Sequence, residues 1–553
     1  MPGTKNKKPK ELPAGGMDRK VKILFAAIIA YAILYSIVFA QGVSYFGDDN
    51  SYSQMAYYAS IGTFAQNTNN ILSIRPLQIY PIAFFYVLFG INIYSLSAWD
   101  SICFVMTTAI VFYLGKELYN EYAGLLASFL FAFFPAVAAL SSTMTDNIPM
   151  MFFVTLAMLA LLYGQRRSSR LWYFICGASL LAGILTIPLA SLAIAIVALY
   201  LIIEFIRGKA RLSKTILFLG YGFAFAVVVL GIFNYVNCGN PLITFTENYN
   251  FFQTQYNQPY GLAYNPDTSN LKFYIINMFP YDIINTFHQG FSSSNYNPVS
   301  IFMQSYNDHI LNNAGFYFYL VLPAIAYLLL KRERRAYFVL FWFIIGFLLL
   351  EFDPAHISLS PFSYFLQHRL SRYLMLIAPA TAIILSIAIV NIAESGKRSS
   401  HRRYLGWAFA LCAVVFLVFT SIPVNLESYS LTAYETHTQI EVASHMSQFP
   451  NTTKLYLSSG MFVSTYMQFN NISRFISYDQ IANCSKIPSG SYVAMPVNVT
   501  IGNLDYIPNP QSYCASWQLV YTPPESQPSD RLVSGNGAID QLKLYFVPPN
   551  STS

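Results

Sequence analysis

Charge is what this chain has least of. Lys, Arg, Asp and Glu make up 10% of its 553 residues, while 55% are hydrophobic. A soluble domain carries roughly 25% charged residues. So large an apolar excess cannot be hidden in soluble cores, which excludes a soluble metabolic enzyme, a nucleic-acid binder and a disordered regulator. An integral membrane protein with several spans remains. Cysteine is scarce too: there are six, none at C-x-x-C spacing, so neither a disulfide framework nor a zinc module is encoded. No internal repeat of fixed period recurs, which argues against transporter folds built on duplicated halves.

What is present is a series of apolar runs. They predict eleven spans at 21–40, 94–115, 122–141, 147–164, 171–187, 189–206, 215–234, 314–330, 336–350, 372–392 and 404–423. The run 171–206 is too long for one crossing and is divided at Pro188. The net charge of +7 follows this layout, because 23 of the 32 Lys and Arg fall between alternate spans, before the first or, for Lys22, at its very start. Basic residues accumulate in cytoplasmic loops, so these clusters are orientation signals. They put the N-terminus inside and the C-terminus outside. The first run reads as a retained anchor, since it exceeds a signal-peptide core and no A-x-A site follows it.

The expected organisation is a cytoplasmic basic tail at 1–20, a transmembrane module at 21–424 with outer loops 41–93 and 235–313, and an extracytoplasmic soluble domain at 425–553. In that last segment a helical stretch at 431–449 precedes strand-like runs at 454–457, 474–478, 492–497, 517–521 and 542–547, which predicts an α/β fold. It holds five N-x-S/T sequons, at Asn451, Asn471, Asn483, Asn498 and Asn550. Cys484 and Cys514 either pair there or stay free. The loop 235–313 is rich in Asn, Tyr and Phe, a composition that suits carbohydrate or a membrane interface equally.

Charges at the outer boundary are costly unless paired or hydrated, which makes them candidates for function. Asp48 and Asp49 stand in Gly47-Asp48-Asp49-Asn50-Ser51-Tyr52, directly after the first span; a solvated turn is the plain alternative. Asp146 lies in Thr145-Asp146-Asn147-Ile148-Pro149, where it would also serve as a helix N-cap. Arg75 opens Arg75-Pro76-Leu77, and Arg369 and Arg372 belong to Gln367-His368-Arg369-Leu370-Ser371-Arg372-Tyr373. These arginines either snorkel to the interface or form an anion site, since guanidinium matches phosphate with two parallel hydrogen bonds. His368 is a further donor or only a polar anchor. Carboxylates beside phosphate-binding arginines at a membrane surface suit transfer of a group from a lipid phosphate to a hydroxyl. The same acidic cluster could bind a cation.

The order of motifs resembles the GT-C superfamily of polytopic glycosyltransferases, and within it the branch of protein O-mannosyltransferases and lipid A aminoarabinose transferases. That family's D-[DE]-x-x-Y pattern, followed by small residues, stands here as Asp48-Asp49-Asn50-Ser51-Tyr52 with Ala56, Ala59 and Gly62. Its basic-Pro-Pro-Leu segment is Arg75-Pro76-Leu77, without the second proline, leading to Leu88-Phe89-Gly90. Gly115-Lys116-Glu117-Leu118-Tyr119, Thr145-Asp146-Asn147 and Arg372-Tyr373-Leu374 follow in the family's order. The resemblance implies an inverting enzyme that uses a polyprenyl- or dolichyl-phosphate sugar and a protein, glycan or lipid acceptor. It puts Asp48 at the catalytic-base position and Asp49 and Asp146 at supporting acidic positions; the mechanism expected from this sets Arg75, Arg369 and Arg372, with His368 as a further donor, beside the donor phosphate. No cofactor is required, although some relatives bind divalent cations near the acidic cluster. The enzyme would be an integral protein of the cell membrane or the ER membrane. An oligosaccharyltransferase would carry a W-W-D-Y-G motif, yet all five tryptophans here stand alone. A lipid-linked sugar transporter would bind near the midplane, where the predicted spans are nearly free of charge.

Overall fold

The computed structural model describes residues 17–42, 48–64, 75–208, 212–247, 250, 316–351, 354–359, 362–366, 371–395, 400–450, 452–458, 475–478, 487–497, 499–501, 505–507, 514–523 and 541–549. The five sequons, Cys484 and most of the loop 235–313 lie outside the described residues.

Helices form where apolar runs meet capping residues and prolines. α1 (Arg19–Val38) begins after Asp18, whose carboxylate accepts from the Lys20 N–H at 3.1 Å. α2 (Asp48–Ser60) and α3 (Pro76–Phe89) fill the segment read as an outer loop. α4 (Ile93–Leu118) starts at Asn92 with a reciprocal capping box to Ser95. α5 (Glu121–Ala132) is capped by Asn120. The single span expected at 122–141 is two helices, because Pro135 cannot continue α5 and leaves Phe134 extended. α6 (Pro135–Ser141) departs from α5 at 62°. α7 (Asn147–Arg167) and α8 (Arg170–Ile184) follow. The expected break at Pro188 is present as a 3-10 turn before α9 (Ser191–Ile206). α10 (Leu212–Cys238), α11 (Tyr317–Leu330), α12 (Tyr337–Glu351) and α13 (Ala378–Ser395) complete the apolar set.

The chain is an integral multi-pass membrane protein. By length and composition six of the described helices can cross a bilayer, or seven with the bent pair α5 and α6 as one, and shorter apolar helices stand beside them. Helix pairs approach closely at glycines. A Cβ at Gly177 of α8 would collide with the Leu219 carbonyl of α10, and one at Gly222 of α10 with the Phe174 carbonyl of α8. Without a hydrophobic driving force in lipid, such small residues let backbones pack directly. The bundle core runs from α1, α4, α5 and α7 to α13, with Phe104, Phe131, Phe134, Tyr317 and Trp342 almost fully buried.

The last helix, α14 (Ser400–Ser447), is unbroken for 48 residues, about 72 Å at 1.5 Å per residue. It carries the apolar stretch Tyr404–Ile422 and then continues through the region read as a separate helix at 431–449. Beyond it lie β3 (Leu455–Ser458), β4 (Phe475–Tyr478), β5 (Tyr492–Val497), β8 (Gln518–Tyr521) and β9 (Gln541–Phe546), in the sheet order β4-β3-β5-β9-β8. β3 is parallel to both neighbours, and β9 is antiparallel to both of its own. Two small hairpins were not anticipated: β1 (Pro354–Leu359) with β2 (Phe362–Leu366), and β6 (Val499–Ile501) with β7 (Asp505–Ile507). Cys514 is disulfide-bonded, whereas Cys103, Cys176, Cys238 and Cys412 are free.

A second core ties the sheet to the helices that carry the acidic motifs. Tyr52, Met55 and Ala56 of α2 and Ile79, Ile82 and Ala83 of α3 share it with Val442 and Met446 of α14 and with Leu455, Ala494, Leu542 and Leu544 of the sheet. The hairpin of α2 and α3 is therefore clamped between the bundle and the sheet.

Candidate functional site

Pro76 sets where Arg75 points. A proline at the first helical position fixes the start of α3, and the residue before it is held out of the helix. Arg75 accordingly stands at the N-cap with φ −105° and ψ 69°. Its guanidinium Nη1 donates to Asp146 Oδ2, forming an ion pair whose side chains are 14% and 3% exposed. Tyr52, one turn after Asp49 on α2, donates its hydroxyl to the same Oδ2 at 2.8 Å. The Arg75 guanidinium also lies over the Tyr52 ring, 5.5 Å from its centre. Asn147 Nδ2 donates to Asp146 Oδ1 at 2.8 Å. Asp146 occupies the N-cap position of α7, but its side chain makes no capping bond; the carboxylate is turned toward α2 and α3 instead.

Asp100 supports this arrangement from below. It is fully buried on α4, and its Oδ1 accepts from the Thr145 N–H at 3.1 Å. Its Oδ2 accepts from Gln78 Nε2 at 3.4 Å. One carboxylate thus fixes both the turn that presents Asp146 and the helix whose N-cap is Arg75. Asp100 was legible only as a charge inside a predicted span. Gln78 carried no signal in the sequence, and Asn147 stood out only as the last residue of Thr145-Asp146-Asn147. On α2, Ser53 and Tyr86 of α3 share a hydrogen bond of 2.9 Å, which holds the two helices in register. Nearby, burial and then the adjacent Tyr58 push the Tyr57 phenol up from its ordinary pKa.

Of the residues singled out in the sequence, Arg75 and Asp146 are in direct contact. Asp49 is buried on the face of α2 that carries Tyr52. Asp48 is the first residue of α2, and its side chain lies outside what is described. His368 and Arg369 lie outside the described residues. Arg372 falls in the 3-10 turn Ser371–Leu376, with its side chain likewise outside.

The model of the family described as dolichyl-phosphate-mannose-protein mannosyltransferase matches residues 73–232. Comparison with curated proteins finds no sequence match. Among solved structures, ArnT from Cupriavidus metallidurans bound to undecaprenyl phosphate aligns at TM-score 0.55 with 11% identity, over 96% of this chain and 98% of that one. The same protein in the apo state gives 0.51 with 13% identity, over 95% and 98%. The apo oligosaccharyltransferase of Archaeoglobus fulgidus gives 0.48 with 15% identity, over 85% of this chain and 69% of that chain. Read with the Arg75–Asp146 pair and the whole-chain alignment to ArnT, the segment 73–232 shows the chain to resemble GT-C superfamily glycosyltransferases of the protein mannosyltransferase and ArnT type.

Proposed function

We propose that the chain is a membrane glycosyltransferase that moves a sugar from a polyprenyl- or dolichyl-phosphate donor to an acceptor hydroxyl on the extracytoplasmic face, with inversion. One observation carries this reading: Arg75, Tyr52 and Asp146 form a nearly dry charged cluster where α2 and α3 meet α7. This end of the bundle is away from the basic clusters, and α2 begins there with Asp48 and Asp49. The undecaprenyl phosphate named with ArnT and the dolichyl-phosphate-mannose of the matching family belong to the donor class proposed.

In this scheme Asp48 takes the proton of the acceptor hydroxyl as its oxygen attacks the anomeric carbon. The bond from that carbon to the lipid phosphate breaks on the opposite side, and the phosphate leaves with the electron pair. Asp49 supports the base. Arg369, Arg372 and His368 offset the growing charge on the phosphate. Arg75 adds positive potential from a position fixed in advance by Asp146 and Tyr52. A divalent cation does not fit Asp146 as it stands, because both of its oxygens already accept from guanidinium, phenol and amide donors. No step is routed through a metal.

The test is incubation of the purified chain in lipid with a radiolabelled polyprenyl-phosphate sugar and, in turn, protein, glycan and lipid acceptors. Label should leave the prenyl lipid and appear on one acceptor class. Label that stays on its lipid with all three would overturn the reading.

A further inference from the structure

At the other end of the bundle a cavity of about 550 Å³ opens between α7, α9 and the turn joining α11 to α12. Four arginines line it. Arg166 comes from the last turn of α7, Arg207 follows α9, and Arg334 and Arg335 come from the 3-10 turn before α12. The rule that basic residues gather at one membrane face accounts for their sign. It does not account for their convergence on one cavity from three separate segments.

The charges are only partly balanced. Arg166 pairs with Glu117 at 3.0 Å and Arg207 with Glu204 at 3.3 Å. Glu333, the next acid, uses Oε1 to accept the Arg335 backbone N–H at 3.3 Å and Oε2 to accept from Asn391 at 3.4 Å. Arg335 lies over the Tyr119 ring at 5.6 Å. Among the described residues, neither the Arg334 nor the Arg335 guanidinium has a carboxylate partner. Behind these heads the wall is apolar, with Ile203 and Phe341 in it. Beside it, Ile206 and Leu330 stand 76% and 85% exposed at the ends of α9 and α11, a surface suited to acyl chains.

We propose that this cavity binds an anionic phospholipid, its phosphate held by Arg334, Arg335 and Arg207 and its chains lying against α9 and α11. Guanidinium pairs phosphate through two parallel hydrogen bonds, and basic pockets between spans are where acidic headgroups are held. Its arginine from α7, Arg166, stands in the last turn of that 21-residue helix, whose N-cap is Asp146, so the site is separate from the transfer site and does not depend on the activity proposed there.

The experiment is native mass spectrometry of the full chain released from detergent with added phosphatidylglycerol or phosphatidylcholine. Phosphatidylglycerol should remain bound and phosphatidylcholine should not. Arg334→Gln, an exposed side chain without an ion pair, should weaken retention several-fold. Arg207→Gln/Arg334→Gln/Arg335→Gln should weaken it at least about tenfold, with the melting temperature in phosphatidylcholine unchanged for the single variant. Glu204→Gln, which removes a competing carboxylate, should strengthen retention. Equal retention of both lipids would overturn the proposal, as would full retention by the triple variant. Displacement of the lipid by millimolar glycerol phosphate would also overturn it, since the site would then be one for a soluble phosphate.

Discussion

Asp146 and Glu117 are both acidic partners of an arginine, and they stand at opposite ends of the bundle. The Asp146 side chain is 3% exposed and its partner Arg75 14%; the Glu117 side chain is 21% exposed and its partner Arg166 35%. At the first end each charge is fixed by further donors: Tyr52 and Asn147 on Asp146, and the Thr145 N–H and Gln78 on Asp100. At the second end the pairs Lys116–Glu121, Arg166–Glu117 and Arg207–Glu204 face water or headgroups. Burial makes the first kind expensive to disturb and geometrically exact in its partners, whereas solvent leaves the second kind adaptable. A fixed geometry suits chemistry, and an adaptable one suits a headgroup.

The sharpest way to break this contrast is Asp146→Ala. Removing one partner of a buried pair leaves an uncompensated charge, so the variant should lose about 3–5 kcal/mol of stability and nearly all transfer. The double variant Asp146→Ala/Arg75→Met should recover part of that stability, which thermal denaturation in one fixed lipid would reveal. If the two losses simply added, the pair would not be coupled. Asp100→Ala comes next. It strands the Thr145 N–H and Gln78 and should cost about 1–3 kcal/mol. Asp100→Asn keeps an acceptor and should restore most of the stability. The smallest effect belongs to Lys116→Ala, whose partly exposed pair with Glu121 should matter by less than about 1 kcal/mol. A loss at Lys116 as large as that at Asp146 would erase the distinction between the two ends.

Much of the architecture was legible because membrane and sheet impose strong patterns. The strands expected at 454–457, 474–478, 492–497, 517–521 and 542–547 have ends within one residue of those in the structure, since short apolar runs bounded by polar turns admit little else. The break at Pro188 was legible for the same reason. The break at Pro135 was not, because hydropathy is continuous across it and only backbone sterics record it. α3 escaped notice because its 14 residues are too few to span a bilayer. The end of the apolar stretch near residue 422 marks a change of surroundings, while α14 runs on through it.

The site was legible as a list of residue types, not as a set of contacts. Arg75 and Asp146 are 71 residues apart, and the sequence suggested a phosphate for one and a helix cap for the other. Their pairing arises from α3 lying against α4 and the turn before α7, a tertiary fact that no local pattern encodes. Tyr52 was visible as the last residue of Asp48-Asp49-Asn50-Ser51-Tyr52. Its partner was not.

The most direct test of the central claim is single-turnover transfer of labelled sugar from a polyprenyl-phosphate donor by Asp48→Asn, measured beside donor binding by the same preparation. Loss of a general base predicts a rate lower by about 10²–10⁴-fold with donor affinity and expression unchanged. Transfer near the wild-type rate by Asp48→Asn would contradict the assignment of the base at the start of α2.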